Sequence, residues 1–245
     1  MIRTIVVSLE HATERRDQIR ELMQERNDLN WAFFDAQGPE SACPLTNDNE
    51  RQMAKFGRPL SNAEVGCFKS HYSIIREHAQ QNGADWLLVL EDDVWLDPAF
   101  DLKEVTTFCD TRSIRYCRLF AKAHKPAEAI GMLSGFRQVI RFTTDPYGTQ
   151  AYLLHRDGAA RFIENLTHIE RPIDDELGRF WRHGLYPISV FPFPTVERSV
   201  PSSIGNERDQ GNQKRIYFRP DLIAHRIKEK ASKIMANRAF KIARA

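Results

Sequence analysis

Cysteine is scarce in this chain, which argues against a small, cross-linked fold. The four cysteines, Cys43, Cys67, Cys109 and Cys117, form no CxxC pair, and none has a nearby histidine at the spacing of a zinc finger. A structural zinc site or a dense disulfide framework is therefore disfavoured, and reduced thiols in the cytoplasm fit best.

Long apolar runs and an excess of one charge are missing as well. The first apolar run ends after four or five residues, which is too short for a signal peptide, and no later run reaches the length of a spanning helix. Lys and Arg number 35 against 33 Asp and Glu, so the charge balance gives no reason to expect nucleic acid as a partner. We expect a cytoplasmic protein.

The chain does have enough apolar content for one substantial core, since 42% of its 245 residues are hydrophobic. Its alternating strand-like and helix-like patterns predict an α/β domain with a mostly parallel sheet, whose ligands bind beyond the carboxyl ends of the strands. We assign residues 1–220 to this domain and residues 221–245 to a tail. The predicted strands are 4–9, 31–34, 86–90, 116–120, 139–142 and 151–154, and the predicted helices are 14–26, 62–80 and 157–166.

Two segments stand out among these elements. Ser61 and Glu64 have the S-x-x-E form of a capping box, which predicts the start of the helix at 62–80. Residues 38–58 are poor in apolar side chains and rich in Gly, Pro and Asn, which predicts a long irregular connection.

Three consecutive carboxylates, Glu91, Asp92 and Asp93, directly follow the apolar run at 86–90, which is typical of a strand buried on both faces. Neighbouring carboxylates raise one another's pKa unless a cation neutralises them. Their oxygen atoms suit Mg²⁺ or Mn²⁺. Strand alternation would point Glu91 and Asp93 to one side and Asp92 to the other. The alternative is a solvated loop after the strand.

The surroundings of this triplet resemble a known family. LSNAEVGCFKSHYSIIREH followed by LLVLEDDVWL is similar to the signature stretch of glycosyltransferase family 25, the lipopolysaccharide or lipooligosaccharide sugar transferases. Further segments agree in order, namely VVSLEHATERR, FFDAQG, GTQAYLLHRDGAARFI, RPIDDEL and FPFPTVERSVPSSIG. The resemblance covers roughly Ile5 to Gly205, with departures at Ser8, where the family usually has Asn, and at Lys69.

The resemblance implies a GT-A-like single Rossmann-type domain with a mixed, mostly parallel sheet. It also implies transfer of a hexose, with galactose favoured and glucose next, from a UDP-sugar to a glycolipid or oligosaccharide acceptor, with inversion at the anomeric carbon. Asp93 and Glu91 are the expected ligands of Mn²⁺ or Mg²⁺. The residues expected to bind the donor are Ser8, Arg15, Arg16, Glu91, Asp92 and Gln150.

An inverting transfer needs a carboxylate that takes the proton of the acceptor hydroxyl. Asp174 and Asp175, in the second acidic cluster, are the candidates, although either could instead cap the helix that follows. Glu64 and His71 could contact the acceptor or support the site. The alternatives are that Glu64 only completes the capping box and that His71 is structural.

The tail is basic and amphipathic. Ile223, Ile227, Ala231, Ile234 and Ile242 recur at helical spacing among lysines and arginines. Such a helix either lies on an anionic membrane surface or covers the domain with a solvated outer face, and we favour the membrane.

Two other functions compete with sugar transfer. One is a Mg²⁺-dependent nucleotidyl or phosphoryl transferase, but the chain has neither the GxxxxGK nor the GxGxxG phosphate loop. The other is a carbohydrate-binding or scaffold protein that kept the fold without the chemistry, in which case Asp93 would be dispensable.

Overall fold

The structure is a computed structural model that describes residues 1–164, 166–198 and 220–240. Its helices are α1 (Thr13–Gln24), α2 (Asn49–Lys55), α3 (Asn62–Gln80), α4 (Leu102–Thr111), α5 (Arg156–Ile163), α6 (Ile173–Leu177), α7 (Phe180–His183) and α8 (Pro220–Ala239). Its strands are β1 (Ile2–Ser8), β2 (Asn30–Asp35), β3 (Thr46–Asn47), β4 (Trp86–Glu91), β5 (Val94–Leu96), β6 (Tyr116–Arg118), β7 (Ala127–Met132), β8 (Gln138–Phe142), β9 (Ala151–His155), β10 (His168–Ile169), β11 (Ile188–Phe191) and β12 (Thr195–Glu197).

One mixed sheet of eight strands organises the domain, in the order β2-β1-β4-β9-β6-β11-β8-β7. Strands β9 and β8 run opposite to the other six, because β9 pairs antiparallel with β4 and β6, and β8 pairs antiparallel with β11 and β7. The predicted α/β architecture with a mixed, mostly parallel sheet is confirmed.

Both faces of this sheet are covered, as the unbroken apolar run of β4 predicted. Leu88 and Leu90 belong to a core with α1 and α4 on one face, while Leu87 and Val89 belong to a second core with α3, α5 and α6 on the other. All four side chains are fully buried. Because neighbouring side chains on a strand alternate, a strand between two helical layers must be apolar at every position.

Helix α3 packs beneath the carboxyl end of β4 and begins as predicted. The Ser61 side chain accepts a hydrogen bond from the Glu64 backbone, and the Glu64 carboxylate accepts one from the Ser61 backbone at 2.9 Å. This reciprocal capping box satisfies two backbone donors that a helix start would otherwise leave without partners.

The prediction of an irregular connection over residues 38–58 is wrong in part. The segment contains the short strand β3 and helix α2, whose N-cap residue Asp48 accepts hydrogen bonds from the backbones of Glu50 and Arg51. Gln52 is the buried residue of α2, so the helix has almost no apolar stripe to reveal it. Helix α4 and strand β7 were also not predicted.

Helix α8 covers the domain with one face. Arg179 of the segment before α7 pairs with Glu229 at 2.6 Å, and Tyr186 donates a hydrogen bond to the carbonyl of Ala236 at 3.0 Å. The Tyr186 ring also meets the Phe240 ring with centroids 4.7 Å apart. Within the described ranges, no helix is long and apolar enough to cross a membrane. The predicted apolar position Ile242 lies outside the described residues.

Candidate active site

The carboxyl ends of β1 and β4 bring the first predicted residues together. These strands are parallel neighbours, with Val7 opposite Glu91, so Ser8 and the acidic triplet lie at one edge of the sheet. Strand β4 ends at Glu91, and Asp92 and Asp93 form the turn to β5. The expected alternation of the three side chains assumed a strand that continues through Asp93, and the strand instead ends at Glu91.

All three carboxylates line a single cleft of about 310 Å³. Arg15 of α1 and Cys67 and His71 of α3 contribute to the same lining. The cleft lies beyond the carboxyl ends of the parallel strands, where ligands of α/β proteins bind.

Asp92 is the most fully satisfied of the three acids. Its carboxylate accepts hydrogen bonds from the Ser8 hydroxyl at 2.7 Å and from Arg15 at 3.1 Å. Its carbonyl accepts another from Arg198 at 2.7 Å. With these partners, Asp92 braces the turn rather than carrying an unbalanced charge.

Arg16 lies outside the cleft lining and holds the ends of β1 and β2 together. Its guanidinium donates to the Ser8 carbonyl at 3.1 Å, pairs with Asp35 at the end of β2, and stacks over the Phe33 ring at 4.8 Å. Of the two arginines predicted to bind the donor, the structure thus brings Arg15 to the cleft and places Arg16 behind it.

Glu91 is held by two neighbours. The Thr149 hydroxyl donates to its carboxylate at 2.5 Å, and Nε2 of His71 lies 3.5 Å away. Burial alone would raise the pKa of Glu91, but hydrogen bonding and charge from His71, with the Thr149 hydroxyl, outweigh it and lower the pKa below its usual value. The other ring nitrogen of His71 lies 3.0 Å from the Tyr152 hydroxyl, and both residues are buried. His71 and Tyr152 therefore position Glu91.

Asp93 is the acid that lacks compensation. Its Oδ1 atom is buried and has no hydrogen-bond partner in the described part of the chain. Burial, followed by repulsion from Glu91, Glu197 and Asp92, raises its pKa to about 7. A buried carboxylate oxygen facing other acids fits a bound cation, which would supply the missing positive charge.

Glu197 and Gln150 lie beside the acidic triplet. Strand β12 pairs with β5 so that Glu197 lies opposite Val94, directly after Asp93. The Gln150 amide donates weakly to Glu197 at 3.4 Å, and its own side-chain oxygen is buried without a partner. Gln150 thus lies beside the acidic triplet, and its backbone carbonyl accepts a hydrogen bond from Glu91 at 2.8 Å. Sequence reasoning missed Glu197, whose one signal was its position in the segment FPFPTVERSVPSSIG.

Two overlapping ligand sets could hold a metal ion here. Glu91 and Asp93 offer carboxylate oxygens, which suit Mg²⁺ or Mn²⁺. Cys67, His71 and Glu91 offer a thiol, an imidazole and a carboxylate whose ligand atoms lie within 4.8 Å of one another, a set that suits softer ions. The unpartnered oxygen of Asp93 favours the first set.

Glu64 lies deeper in the fold. Its carboxylate accepts two hydrogen bonds from Arg58, both at 2.7 Å, in addition to the capping bond. The structural role that the capping box predicted is confirmed, and the side chain is 2% exposed.

The second acidic cluster lies on α6, away from the lining of the acidic cleft. The N-cap position of α6 is Pro172, so the alternative that Asp174 or Asp175 caps this helix is wrong. Both are instead in its first turn, where negative charge is favoured by the helix dipole. Asp175 lines another cavity, of about 350 Å³, and burial together with the charge of Asp174 raises its pKa to about 7.

The sheet and the cleft place this chain among α/β proteins that bind their ligands at the carboxyl ends of parallel strands. The sequence pattern of glycosyltransferase family 25 (LPS biosynthesis protein) matches residues 1–177. The chain belongs to this family.

Relatives with curated names are distant and much longer. A glycosyltransferase 25 family member of Aedes aegypti is 27% identical over 69% of this chain and 28% of its own length. Procollagen galactosyltransferase 1-A of Xenopus laevis is 24% identical over 78% of this chain and 35% of its own length. The chain therefore spans about a third or less of these relatives.

Similar solved structures include the galactosyltransferase LgtC in complex with donor and acceptor sugar analogs. It aligns over 100% of this chain and 97% of its own, with 11% identity and a TM-score of 0.39. A glycosyltransferase involved in glycosylation of the major capsid of PBCV-1 aligns over 64% of this chain and 61% of its own, with 18% identity and a TM-score of 0.33. At these TM-scores, the fold assignment rests on the sheet and on the family match.

Proposed function

We propose that this chain is an inverting, metal-dependent glycosyltransferase. It moves a hexose, galactose first and glucose next, from a UDP-sugar to a sugar hydroxyl of a lipooligosaccharide or lipopolysaccharide acceptor. Membership of family 25 supports the reaction class. The observation that carries the proposal is the buried, unpartnered oxygen of Asp93 in a cleft shared with Glu91.

In this proposal Glu91 and Asp93 hold Mn²⁺ or Mg²⁺. The cation, when bound, stabilises the negative charge of the departing diphosphate. Arg15 lines the cleft and donates to Asp92, so it is placed to meet donor phosphate as well. The unpartnered oxygen of Gln150 can accept a hydrogen bond from a hydroxyl of the donor.

Inversion requires a base on the acceptor side, and Asp174 and Asp175 remain the candidates. Asp175 lines a cavity and has a pKa of about 7, which suits a group that must accept a proton near neutrality. Asp174 is the residue that the family motif favours, and its charge is the second cause of the raised pKa of Asp175.

Measurement of UDP-sugar turnover shows which of Asp174 and Asp175 is the base. Loss of a positioned base typically costs 10²- to 10⁴-fold in rate. Asp174→Asn and Asp175→Asn are therefore compared for kcat with UDP-galactose, Mn²⁺ and a lipooligosaccharide core acceptor, by mass spectrometry of the product. The base is the residue whose replacement lowers kcat by about 100-fold or more. If both variants keep full kcat, neither residue is the base.

We also propose that the exposed face of α8 contacts the inner face of an anionic cytoplasmic membrane. Ile223, Ile227, Ile234 and Met235 of α8 are all exposed, although the opposite face of the helix packs on the domain. Exposed basic residues flank them, namely Lys228, Lys230 and Arg238. Such a face complements a bilayer with acidic headgroups.

Co-sedimentation of the whole chain with anionic vesicles tests this contact. Ile227→Glu with Ile234→Glu should release the protein, because both apolar anchors become charged. Truncation is a poorer test, since α8 also packs against the domain. Equal binding of the wild type and the double variant would contradict membrane docking by this face.

A further inference from the structure

A second cavity, of about 350 Å³, lies between α2, α6, α7 and α8. We call it the basic cavity. Its lining carries more positive than negative side chains: Lys55, Arg171, Arg179, Arg226 and Lys233 against Asp145, Asp175 and Glu229.

The negative charges of this cavity are largely compensated by other contacts. Asp145 pairs with the buried Arg118, outside the lining, at 2.7 Å. Glu229 pairs with Arg179 at 2.6 Å. Burial and the neighbouring Asp174 raise the pKa of Asp175 to about 7, so much of its charge is absent near neutrality.

Several positive charges, in contrast, lack compensation. Within the described ranges, Lys55 and Arg226 make no ion pair or hydrogen bond from their side chains. Lys233 donates to the Thr144 hydroxyl at 2.9 Å, and burial lowers its pKa, as expected for a cation without a carboxylate partner.

Buried hydrogen-bond donors of the basic cavity are also unsatisfied. Nε1 of Trp181 is buried and has no hydrogen-bond partner in the described part of the chain, and Nε of Arg171 makes no hydrogen bond there, although Glu176 lies 3.4 Å from it as an ion-pair partner. Both residues belong to the cavity lining. Buried donors without a hydrogen bond are rare in native proteins, because they lose their bonds to water and gain none in return. An anionic ligand would supply acceptors.

The segment 143–150 joins the basic cavity to the acidic cleft. Asp145 and Tyr147 line the basic cavity, while Thr149 donates to Glu91 in the cleft. Four residues of extended chain span at most about 14 Å, so these two ends of the segment lie within reach of one short oligosaccharide.

We propose that the basic cavity is an acceptor subsite that binds an anionic group, a phosphate or a carboxylate, carried by the acceptor saccharide. This inference rests on the proposed glycosyltransferase function. Trp181 and Tyr147 belong to the lining beside the cationic side chains, and aromatic rings with a polar group suit contact with a sugar.

Isothermal titration of the whole chain with glucose 6-phosphate, glucuronate and glucose tests the subsite. We expect saturable binding of one or both anionic sugars and none of glucose over the same concentrations. The anion that binds distinguishes phosphate from carboxylate as the recognised group. Absence of binding by both anions would overturn the proposal.

Matched charge variants locate the binding. Lys55→Gln with Arg226→Gln should weaken anion binding at least tenfold. Lys103→Gln with Arg161→Gln removes the same types of charge from exposed positions outside this lining, and should change binding less than twofold. Equal weakening in both pairs, or none in the first, would overturn the subsite. The single variants Lys55→Gln and Arg226→Gln, each several-fold weaker, replace the pair if it does not fold.

A parallel titration with UDP and Mn²⁺ keeps this test separate from the proposed function. The variant with Lys55→Gln and Arg226→Gln should bind UDP with Mn²⁺ as the wild type does. If no protein binds UDP with Mn²⁺ while the anionic sugar still depends on Lys55 and Arg226, then the donor assignment fails and the anion site stands. If only the sugar titrations fail, the subsite alone is wrong.

Discussion

The acidic cleft and the basic cavity lie at opposite ends of the segment 143–150, and their unsatisfied groups have opposite character. In and beside the cleft the buried oxygens without a hydrogen-bond partner among the described residues are acceptors, Oδ1 of Asp93 and Oε1 of Gln150, and Nε2 of His71 also lacks a hydrogen bond. In the basic cavity the buried atoms without a hydrogen bond among the described residues are donors, Nε1 of Trp181 and Nε of Arg171, the latter with Glu176 3.4 Å away. The first arrangement suits a cation and the second suits an anion, which is why we propose two sites with different ligands.

The way each acid is balanced explains this division. In the cleft, Asp92 has Ser8 and Arg15 as partners and Glu91 has Thr149 and His71, which leaves Asp93 without a compensating group. In the lining of the basic cavity, Asp145 pairs with Arg118 and Glu229 pairs with Arg179. Asp145 and Glu229 are thus compensated by arginines, whereas Asp175 beside them, like Asp93 in the cleft, has a pKa raised to about 7 by burial and neighbouring acids.

The largest expected effect of a single change is at Asp93. Asp93→Asn removes a proposed metal ligand, and we expect turnover with UDP-galactose to fall about 1000-fold, which corresponds to about 4 kcal/mol of transition-state stabilisation. The same change removes electrostatic repulsion, so thermal unfolding in a chelator should occur at an unchanged or higher temperature. Turnover within tenfold of the wild type would contradict a metal role for Asp93.

The second prediction concerns the protonation of a buried histidine, His183, which contacts α6. His183, at the end of α7, accepts a hydrogen bond from the Leu185 backbone at Nδ1, while Nε2 lies 3.2 Å from the Glu176 carbonyl. A neutral ring satisfies both contacts, and burial lowers its pKa to about 4. Because the folded pKa lies below the unfolded value of about 6.5, this stabilisation is complete above pH 6.5 and is lost as the pH falls towards 4.

Urea denaturation at pH 7 and pH 5 measures that contribution. His183 should account for roughly 2 kcal/mol of the free energy of unfolding that is lost between these two pH values. This follows because pH 5 lies about 1.5 units below the unfolded pKa, and each pH unit corresponds to about 1.4 kcal/mol. His183→Gln should lose less stability on acidification by this amount. An identical pH dependence in the variant would show that His183 does not stay neutral in the fold.

A smaller contrast concerns the two arginines of α1. Arg15→Gln should raise the KM for UDP-galactose about tenfold, about 1.4 kcal/mol, because Arg15 lines the cleft. Arg16→Gln should instead lower the unfolding temperature with little change in KM, since Arg16 holds Ser8, Asp35 and the Phe33 ring together. Equal effects of both changes on KM would remove the distinction between binding and bracing.

Local signals in the sequence predicted the elements that carry the acidic cleft. Two of these signals span only a few residues: the capping box at Ser61 and Glu64, which predicted a helix start, and the apolar run of β4, which predicted a buried strand. Both predictions are confirmed. Helix α2 escaped prediction because it buries Gln52 rather than an apolar stripe. Short helices of this kind depend on contacts that periodicity does not record.

Residues that meet across long sequence separations could not be predicted in the same way. Glu197 reaches Asp93 through the pairing of β12 with β5, and Arg226 reaches the basic cavity because α8 packs against α2 and α7. The acidic triplet alone led to the prediction of a cation site, but the partners of each carboxylate could be identified only from the tertiary structure. The bracing role of Arg16 likewise depends on the ends of β1 and β2 lying side by side.

The most direct test of a cation in the acidic cleft is calorimetric titration of the wild type and of Asp93→Asn with MnCl₂ in the presence of UDP. We predict 1:1 binding by the wild type that EDTA reverses, with a loss of at least tenfold in affinity for the variant. Equal Mn²⁺ affinity in the two proteins, or no binding by the wild type, would contradict the assignment.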